Sequence, residues 1–141
     1  MLTNTRIIRV QWGDCDPAGI VFYPRYFEWF DACTILLFEK ATGMTKIKML
    51  EKYNGAGLAL LEARANFKVA SQYGEDIAIE TAITEFRRSS FFVHHKVTKG
   101  ATLALEGFET RIWTARDPSD HKRLVSATMP AEIRDSFTRH P

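Results

Sequence analysis

Polar and apolar positions along the chain fall into two rhythms. Over residues 24–42 apolar side chains recur at helical spacing, with Phe27, Phe30, Cys33 or Thr34, and Leu37 on one stripe and Arg25 and Glu28 off it. Pro24 suits a first helical position and Gly43 a residue just past the end, so a long helix is predicted over 24–42. Trp29, Leu36 and Phe38 widen the stripe, and the helix is expected to be enclosed on most sides. After Asn54-Gly55-Ala56-Gly57 the period changes to two. Residues 58–70 predict a long strand. In 75–86, Ile77, Ile79, Thr81 and Ile83 share one face, and in 90–98 Phe91, Val93, His95 and Val97 do the same. In 101–114 Leu103 and Leu105 share parity while Phe108 and Ile112 take the other, and a bulge at Glu106-Gly107 would unite them.

Shorter signals complete the pattern. Residues 6–12 read as a first strand, 45–53 as a short amphipathic helix, 123–128 as a last strand after an Asp117–Asp120 turn, and 130–137 as a terminal helix. Strands at hairpin spacing pair antiparallel, and one face of such a sheet needs cover. The helix at 24–42 is the element apolar enough to supply it. The expected fold is therefore α+β, a single domain over residues 1–141, with an antiparallel sheet of about five strands wrapped around a long central helix.

Composition narrows the function classes. With 45% apolar and 26% charged residues the chain is of the ordinary globular kind, and a net charge of +2 gives no argument for nucleic acid. No run of 18 apolar residues points to a membrane, and no basic-then-apolar leader opens the chain. Cys15 and Cys33 are too few for a disulfide framework or a zinc site, so a reducing cytoplasm is the expected location. His94 and His95 occupy adjacent strand positions and face opposite ways, which argues against a shared metal; His121 and His140 read as surface residues.

Candidate chemistry concentrates in Gly13-Asp14-Cys15-Asp16-Pro17-Ala18-Gly19-Ile20-Val21-Phe22-Tyr23-Pro24. Two carboxylates flank a cysteine in a loop that leads into a helix N-terminus, where free backbone N–H groups carry partial positive charge. A carboxylate and an N–H donor facing one carbonyl are the minimal parts for acyl transfer. The same residues also serve as ordinary turn and capping groups.

This run closely resembles the signature of the 4-hydroxybenzoyl-CoA thioesterases of the hotdog superfamily. Glu85-Phe86-Arg87-Arg88-Ser89-Ser90-Phe91 resembles a second segment of those enzymes, and Asn66-Phe67 and Tyr73 to Thr81 match in character. The similarity spans roughly residues 6–134. It implies a hotdog-fold hydrolase of aromatic acyl-CoA thioesters that needs no cofactor and no metal. Asp16 matches the catalytic aspartate, as nucleophile or as base for water, and the Tyr23 backbone N–H matches the oxyanion donor. Arg87, Arg88 and Ser90 match substrate contacts, the arginines at the coenzyme A phosphates, while Asp31 matches a position near the acyl ring. A charge on so apolar a helix wants a partner, whether a substrate hydroxyl, a water or a basic group. The resemblance further implies a homo-oligomer, a dimer or a homotetramer, with active sites between subunits.

Substrate is less sharply drawn. Another branch, acting on shorter aliphatic acyl-CoAs, often carries a His where Pro24 stands, which favours the aromatic branch. Leu58 and Leu60, in a stretch expected to approach the acyl group, are more apolar than a phenol-reading pocket calls for, which leaves benzoyl-type groups open. The rival readings are a broad aliphatic acyl-CoA or acyl-carrier thioesterase, and a non-catalytic acyl-CoA-binding module.

Overall fold

Pro24 fixes the backbone at the start of the long helix, α1 (Pro24–Thr42), and Gly43, in the left-handed conformation at φ 72°, closes it by donating to the Glu39 carbonyl. The computed structural model describes residues 1–139, so His140 lies outside the described residues. A short helix, α2 (Lys46–Lys52), follows α1 and is capped by the Thr45 side chain. The strands are β1 (Thr3–Arg9), β2 (Gly57–Phe67), β3 (Asp76–Phe86), β4 (Ser90–Lys99), β5 (Thr102–Asp117) and β6 (Asp120–Ser126), and α3 (Ala131–Ser136) comes last. All pairings are antiparallel, in the order β1-β3-β4-β5-β2, with β6 on the end of β5 past the point where β4 stops. The sheet curls over α1, and β1 and β2 form its edges.

Several expectations need correction: β2 ends at Phe67 rather than at 70, and the last strand runs Asp120–Ser126 rather than 123–128. The first strand covers Thr3–Arg9 rather than 6–12: its polar start pairs with β3 (Thr3 opposite Ala82), while Trp12–Asp14 form a short 3-10 turn tied by Gln11 N–H to Asp14 Oδ2 at 2.9 Å. The β5 bulge lies at Ala104 rather than at Glu106-Gly107, since Val97 faces Leu105 and Thr98 faces Leu103. The core-facing residues of β5 are consequently Leu105, Gly107, Glu109, Arg111 and Trp113, and Phe108 and Ile112 face outward. Gly107 serves a different purpose there: a Cβ at that position would collide with the Phe30 ring of α1.

The core divides into two apolar clusters along α1. One gathers Tyr26, Phe30, Cys33, Ile77, Ile79 and Val97 at the start of the helix; the other gathers Leu37, Phe38, Ile83, Phe91, Val93 and Trp113 at its end. Between them lies a buried polar layer of Thr34, Thr81, His95, Glu109 and Arg111. The helix is less enclosed than its composition suggests, because Leu36 is exposed and Ala32 and Ile35 are only half-buried.

Candidate active site

The loop between β1 and α1 is built by backbone pairing. Asp16 N–H donates to the Ile20 carbonyl and Gly19 N–H to the Asp16 carbonyl, both at 2.9 Å, closing a tight turn in which Gly19 takes φ 79°. Val21 N–H then donates to the Ser71 carbonyl at 2.9 Å, and Ile20 bridges to Gln72, so residues 15–16, 20–21 and 71–72 form a small three-stranded patch. Asp16 thus sits on a fixed backbone. Its Oδ1 accepts the Ala18 N–H at 2.8 Å, and Oδ2 has no hydrogen bond to a described residue. Asp14 ties the loop down: its carbonyl accepts the Phe22 N–H at 2.8 Å, its Oδ2 accepts the Gln11 N–H, and Arg25 Nε lies 4.0 Å from its Oδ1.

Tyr23 occupies the cap position of α1 with helical angles, φ −52° and ψ −34°. Its N–H makes no hydrogen bond with any described residue, while its side chain is 59% exposed. This N–H is one of the unpaired donors at the positive end of the helix. Asp16 and Tyr23 line a common pocket of about 450 Å³, walled by Phe22, Tyr26, Phe67 and Val69. An aromatic wall, a residue with an ionisable carboxylate and one with an unpaired backbone N–H therefore share one pocket, which is an arrangement suited to acyl transfer.

Cys15 is a packing residue in this geometry. It is half-buried, its Sγ lies 3.5 Å from the Gln11 carbonyl, and burial followed by the nearby Asp14 and Asp16 charges pushes its thiol up, away from the reactive thiolate. His94 and His95 do face opposite ways: His94 pairs with Glu106 at 2.8 Å on the outer face, and His95 is fully buried. His121 is exposed.

The remaining candidate residues lie elsewhere in the chain. Arg87 and Arg88 stand exposed at the β3–β4 tip, Arg87 pairing with Glu85 at 2.9 Å and Arg88 donating to Thr128 Oγ1 at 2.8 Å. Ser90 is half-buried at the start of β4, and its carbonyl accepts the Arg87 N–H. The Asp16 loop adjoins the beginning of β3, where Val10 N–H meets the Glu75 carbonyl, whereas the arginines follow its end. The eleven-residue β3, about 33 Å long at about 3.3 Å per residue, lies between the two. Leu58 packs in the far apolar cluster, Leu60 is 49% exposed, and neither lines the Asp16 pocket of its own chain.

Asp31 has a basic partner. Its Oδ1 accepts from Arg111 Nη2 at 2.8 Å, and Arg111 is in turn held by the buried Glu109. Glu109 and Arg111 escaped the sequence reading, as did Tyr26 and Ser71, while Phe67 enters there only by its match in character. For the first two a signal existed, since they share parity with Leu105 and Trp113. The pocket residues 68–71 carry no such signal, because backbone pairing of Ser71 with Val21 and of Gln72 with Ile20 is what brings them to the Asp16 loop.

A profile of the Thioesterase-like superfamily matches residues 10–137. The 4-hydroxybenzoyl-CoA thioesterase of Pseudomonas sp. (strain CBS-3) is 32% identical over 130 residues, which cover 88% of this chain and 89% of that one. Its solved structure superposes with a TM-score of 0.86 over 95% of this chain and 98% of its own. An aspartate-to-asparagine variant of a 4-hydroxybenzoyl CoA thioesterase, solved in complex with 4-hydroxybenzoyl CoA, is 31% identical with a TM-score of 0.86, covering 96% of this chain and 98% of that one. A gentisyl-coenzyme A thioesterase is 28% identical with a TM-score of 0.80, covering 95% and 99%.

Proposed function

The chain belongs to the thioesterase-like superfamily, and on that premise we propose that it hydrolyses an aromatic acyl-CoA thioester to the free acid and coenzyme A. One observation carries the reading: Asp16 and Tyr23, whose N–H makes no hydrogen bond to a described residue, line the same aromatic-walled pocket. Two relatives named for hydroxylated aryl thioesters, 4-hydroxybenzoyl and gentisyl, support the acyl class.

Asp16 is the catalytic carboxylate in this reading. As nucleophile, its free oxygen adds to the thioester carbonyl, the C–S bond breaks, and coenzyme A leaves as thiolate and takes up a proton. Water then hydrolyses the mixed anhydride, freeing the acid and restoring the carboxylate. As base, Asp16 takes the proton from the water that attacks the same carbon. In both routes the Tyr23 N–H faces the oxygen that gains charge. Arg87 and Arg88 meet the coenzyme A phosphates, for which paired guanidinium donors are suited, with Ser90 beside them; neither a metal nor a cofactor takes part.

The length of β3, about 33 Å, lies between the Asp16 loop at its start and the arginines past its end, which supports a site shared by two subunits. β2 is a long edge strand bearing exposed Leu60, Leu61 and Phe67, an aggregation hazard that pairing removes. Two copies joined antiparallel along β2 run in opposite directions, so the partner's β3–β4 tip comes to the Asp16 end. The dimer is thus the active unit, and a tetramer is a pair of such dimers. No described helix is long and apolar enough to cross a membrane; cytoplasmic residence is part of the proposal and agrees with two free cysteines.

The test is thiol release from purified protein offered 4-hydroxybenzoyl-CoA, benzoyl-CoA, gentisyl-CoA and a chain-length series of aliphatic acyl-CoAs. Preference for the aryl thioesters by at least about tenfold in kcat/KM is expected, near the discrimination a shaped apolar pocket gives. Equal or better turnover of aliphatic thioesters contradicts the aromatic reading, and binding without turnover contradicts the enzyme.

A further inference from the structure

A cavity of about 530 Å³ opens at the end of β3 remote from the Asp16 loop. Ile83 and Phe86 wall it from β3 and Phe137 from just past α3, and Met1, Arg134 and Thr138 complete it. The two phenylalanine rings meet edge to face, 5.1 Å apart at 66°. Ile83 is buried, and Thr138 Oγ1 is spent on the Asp135 carbonyl at 2.8 Å. The walls are thus largely hydrocarbon with a guanidinium among them, and the volume is that of a small-molecule site. The cavity has no part in the chemistry proposed at Asp16.

Arg134 is only partly satisfied by its own chain. Its Nη2 donates to the Arg87 carbonyl at 2.7 Å, and its guanidinium lies 5.9 Å from the Phe86 ring centroid. Nε is buried without a hydrogen-bond partner, and Nη1 has none among the described residues. No described carboxylate pairs with it; Glu132, in the same helix, is taken by Tyr53 at 2.7 Å and by Lys52 at 3.8 Å. Unpaired N–H groups on a half-buried cation are costly, and an anion that brings acceptors removes that cost. Water brings acceptors too, but gains nothing from Phe86, Phe137 and Ile83. A ligand that meets both demands carries a carboxylate on an apolar body. A flat ring suits the body, because phenylalanine faces and edges favour aromatic contact, and a guanidinium suits the carboxylate.

We propose that this cavity binds a free aryl carboxylate, with the carboxylate on Arg134 and the ring against Phe86 and Phe137. The choice of acid rests on the aromatic thioesterase reading, whose product is such a molecule; the match of the cavity to an apolar anion does not. The site is separate from the Asp16 pocket, since the two share no lining residue and adjoin opposite ends of β3. An acid released at one is held again at the other.

Methyl NMR distinguishes the two places. In protein labelled at its Ile and Met methyls, Ile83 and Met1 report the cavity and Ile20 reports the Asp16 pocket. Titration with 4-hydroxybenzoate is expected to move Ile83 and Met1 with a Kd of about 1 mM or tighter, the scale for a small seated ligand. 4-Hydroxybenzyl alcohol keeps the ring without the charge and is expected to bind at least about tenfold more weakly. Octanoate keeps the charge without the ring and is expected to bind several-fold more weakly. Arg134→Met weakens the acid at least about tenfold at Ile83 and Met1 and leaves the Ile20 response as in wild type. Thr138→Trp, at an exposed position, blocks the cavity with the guanidinium intact and gives the same result where Arg134→Met does not fold. Ile83 and Met1 unmoved at about 10 mM acid, or an affinity unchanged in the variants, overturns the site. Equal binding of the alcohol overturns the role of Arg134, and equal or tighter binding of octanoate overturns the aryl class. Coenzyme A that moves the same methyls and displaces the acid makes the cavity part of the substrate site, which also overturns the proposal. Wild-type protein that binds the acid but hydrolyses no aryl thioester overturns the activity reading alone, because binding is read without turnover.

Discussion

Glu109 is ionised in the interior because three donors converge on it. Burial alone would raise its carboxyl, but the hydrogen bonds from His95 and Arg111 and the Arg111 charge outweigh that and bring it from 4.5 down to about 2. For His95, burial outweighs Glu109 and lowers the imidazole, which stays neutral at pH 7. Thr34 donates to Glu109, so a neutral ring with its proton on Nε2 and with Nδ1 accepting from Thr81 satisfies the network. Both groups have folded-state values below their unfolded ones, so both stabilise at higher pH. The Glu109 share is complete above about pH 4.5 and is lost as pH falls toward its lowered folded-state value. Urea unfolding across pH 8 to 3 is expected to show a flat midpoint near neutrality, a decline beginning below about 6.5, where this imidazole takes up a proton in the unfolded chain but not in the fold, and a steeper one below about 4.5. Glu109→Gln should be less stable at pH 7 and lose the steep part; an unchanged acid slope would refute this role. At Gly107 the issue is space. Gly107→Ala drives a methyl into the Phe30 ring that stacks on His95, and a loss of about 2 kcal/mol is expected from overpacking. Stability equal to wild type would mean that α1 can shift away from β5 freely.

Among the elements, those buried on one face were legible in the sequence and those defined by pairing were not. α1 shows its helical stripe between Pro24 and Gly43, and Ile77, Ile79, Thr81 and Ile83 mark β3 by strict alternation, with every one of them buried. β1 starts early because Thr3 and Asn4 have no apolar signal and are recruited by backbone bonding to β3. The bulge in β5 was misplaced for a related reason. Leu103, Phe108 and Ile112 look like a core face, yet an Arg and a Glu occupy it, neutralising each other at alternate positions. Of the candidate site, the pocket residues Asp16 and Tyr23 were legible because a motif marks them, and residues 68–71, which close the same pocket, were not. The strut Lys99, whose Nζ donates to the Ala70 carbonyl at 2.7 Å and lies 3.3 Å from Glu75, holds that wall in place. Lys99→Met should therefore raise KM several-fold while leaving the far apolar cluster and the melting temperature nearly unchanged; an unaltered KM would show that the wall stands without it.

For the molecule as a whole, the free edge of β2 and the spread of the candidate site residues support the proposed dimer. Leu60, Leu61 and Phe67 are exposed on β2, and the Asp16 loop and Arg87 adjoin opposite ends of β3. Pairing along β2, as proposed, covers these apolar residues and brings the two parts of the site together. Leu61→Asp places a charge on the bulged residue of that edge, between Leu60 and Glu62. It is expected to give a monomer by sedimentation and to lower kcat/KM at least about tenfold, because a truncated contact set loses transition-state as well as ground-state binding. A fully active monomer would contradict the shared site.

The central claim is that Asp16 performs the chemistry, and the most direct measurement is the kcat of Asp16→Asn against wild type for 4-hydroxybenzoyl-CoA. Asparagine keeps the shape and the Ala18 hydrogen bond while removing the charge and the nucleophile. A loss of at least about a hundredfold, with the substrate still bound, is the predicted result. Activity within a few-fold of wild type would contradict it and move the chemistry to another residue.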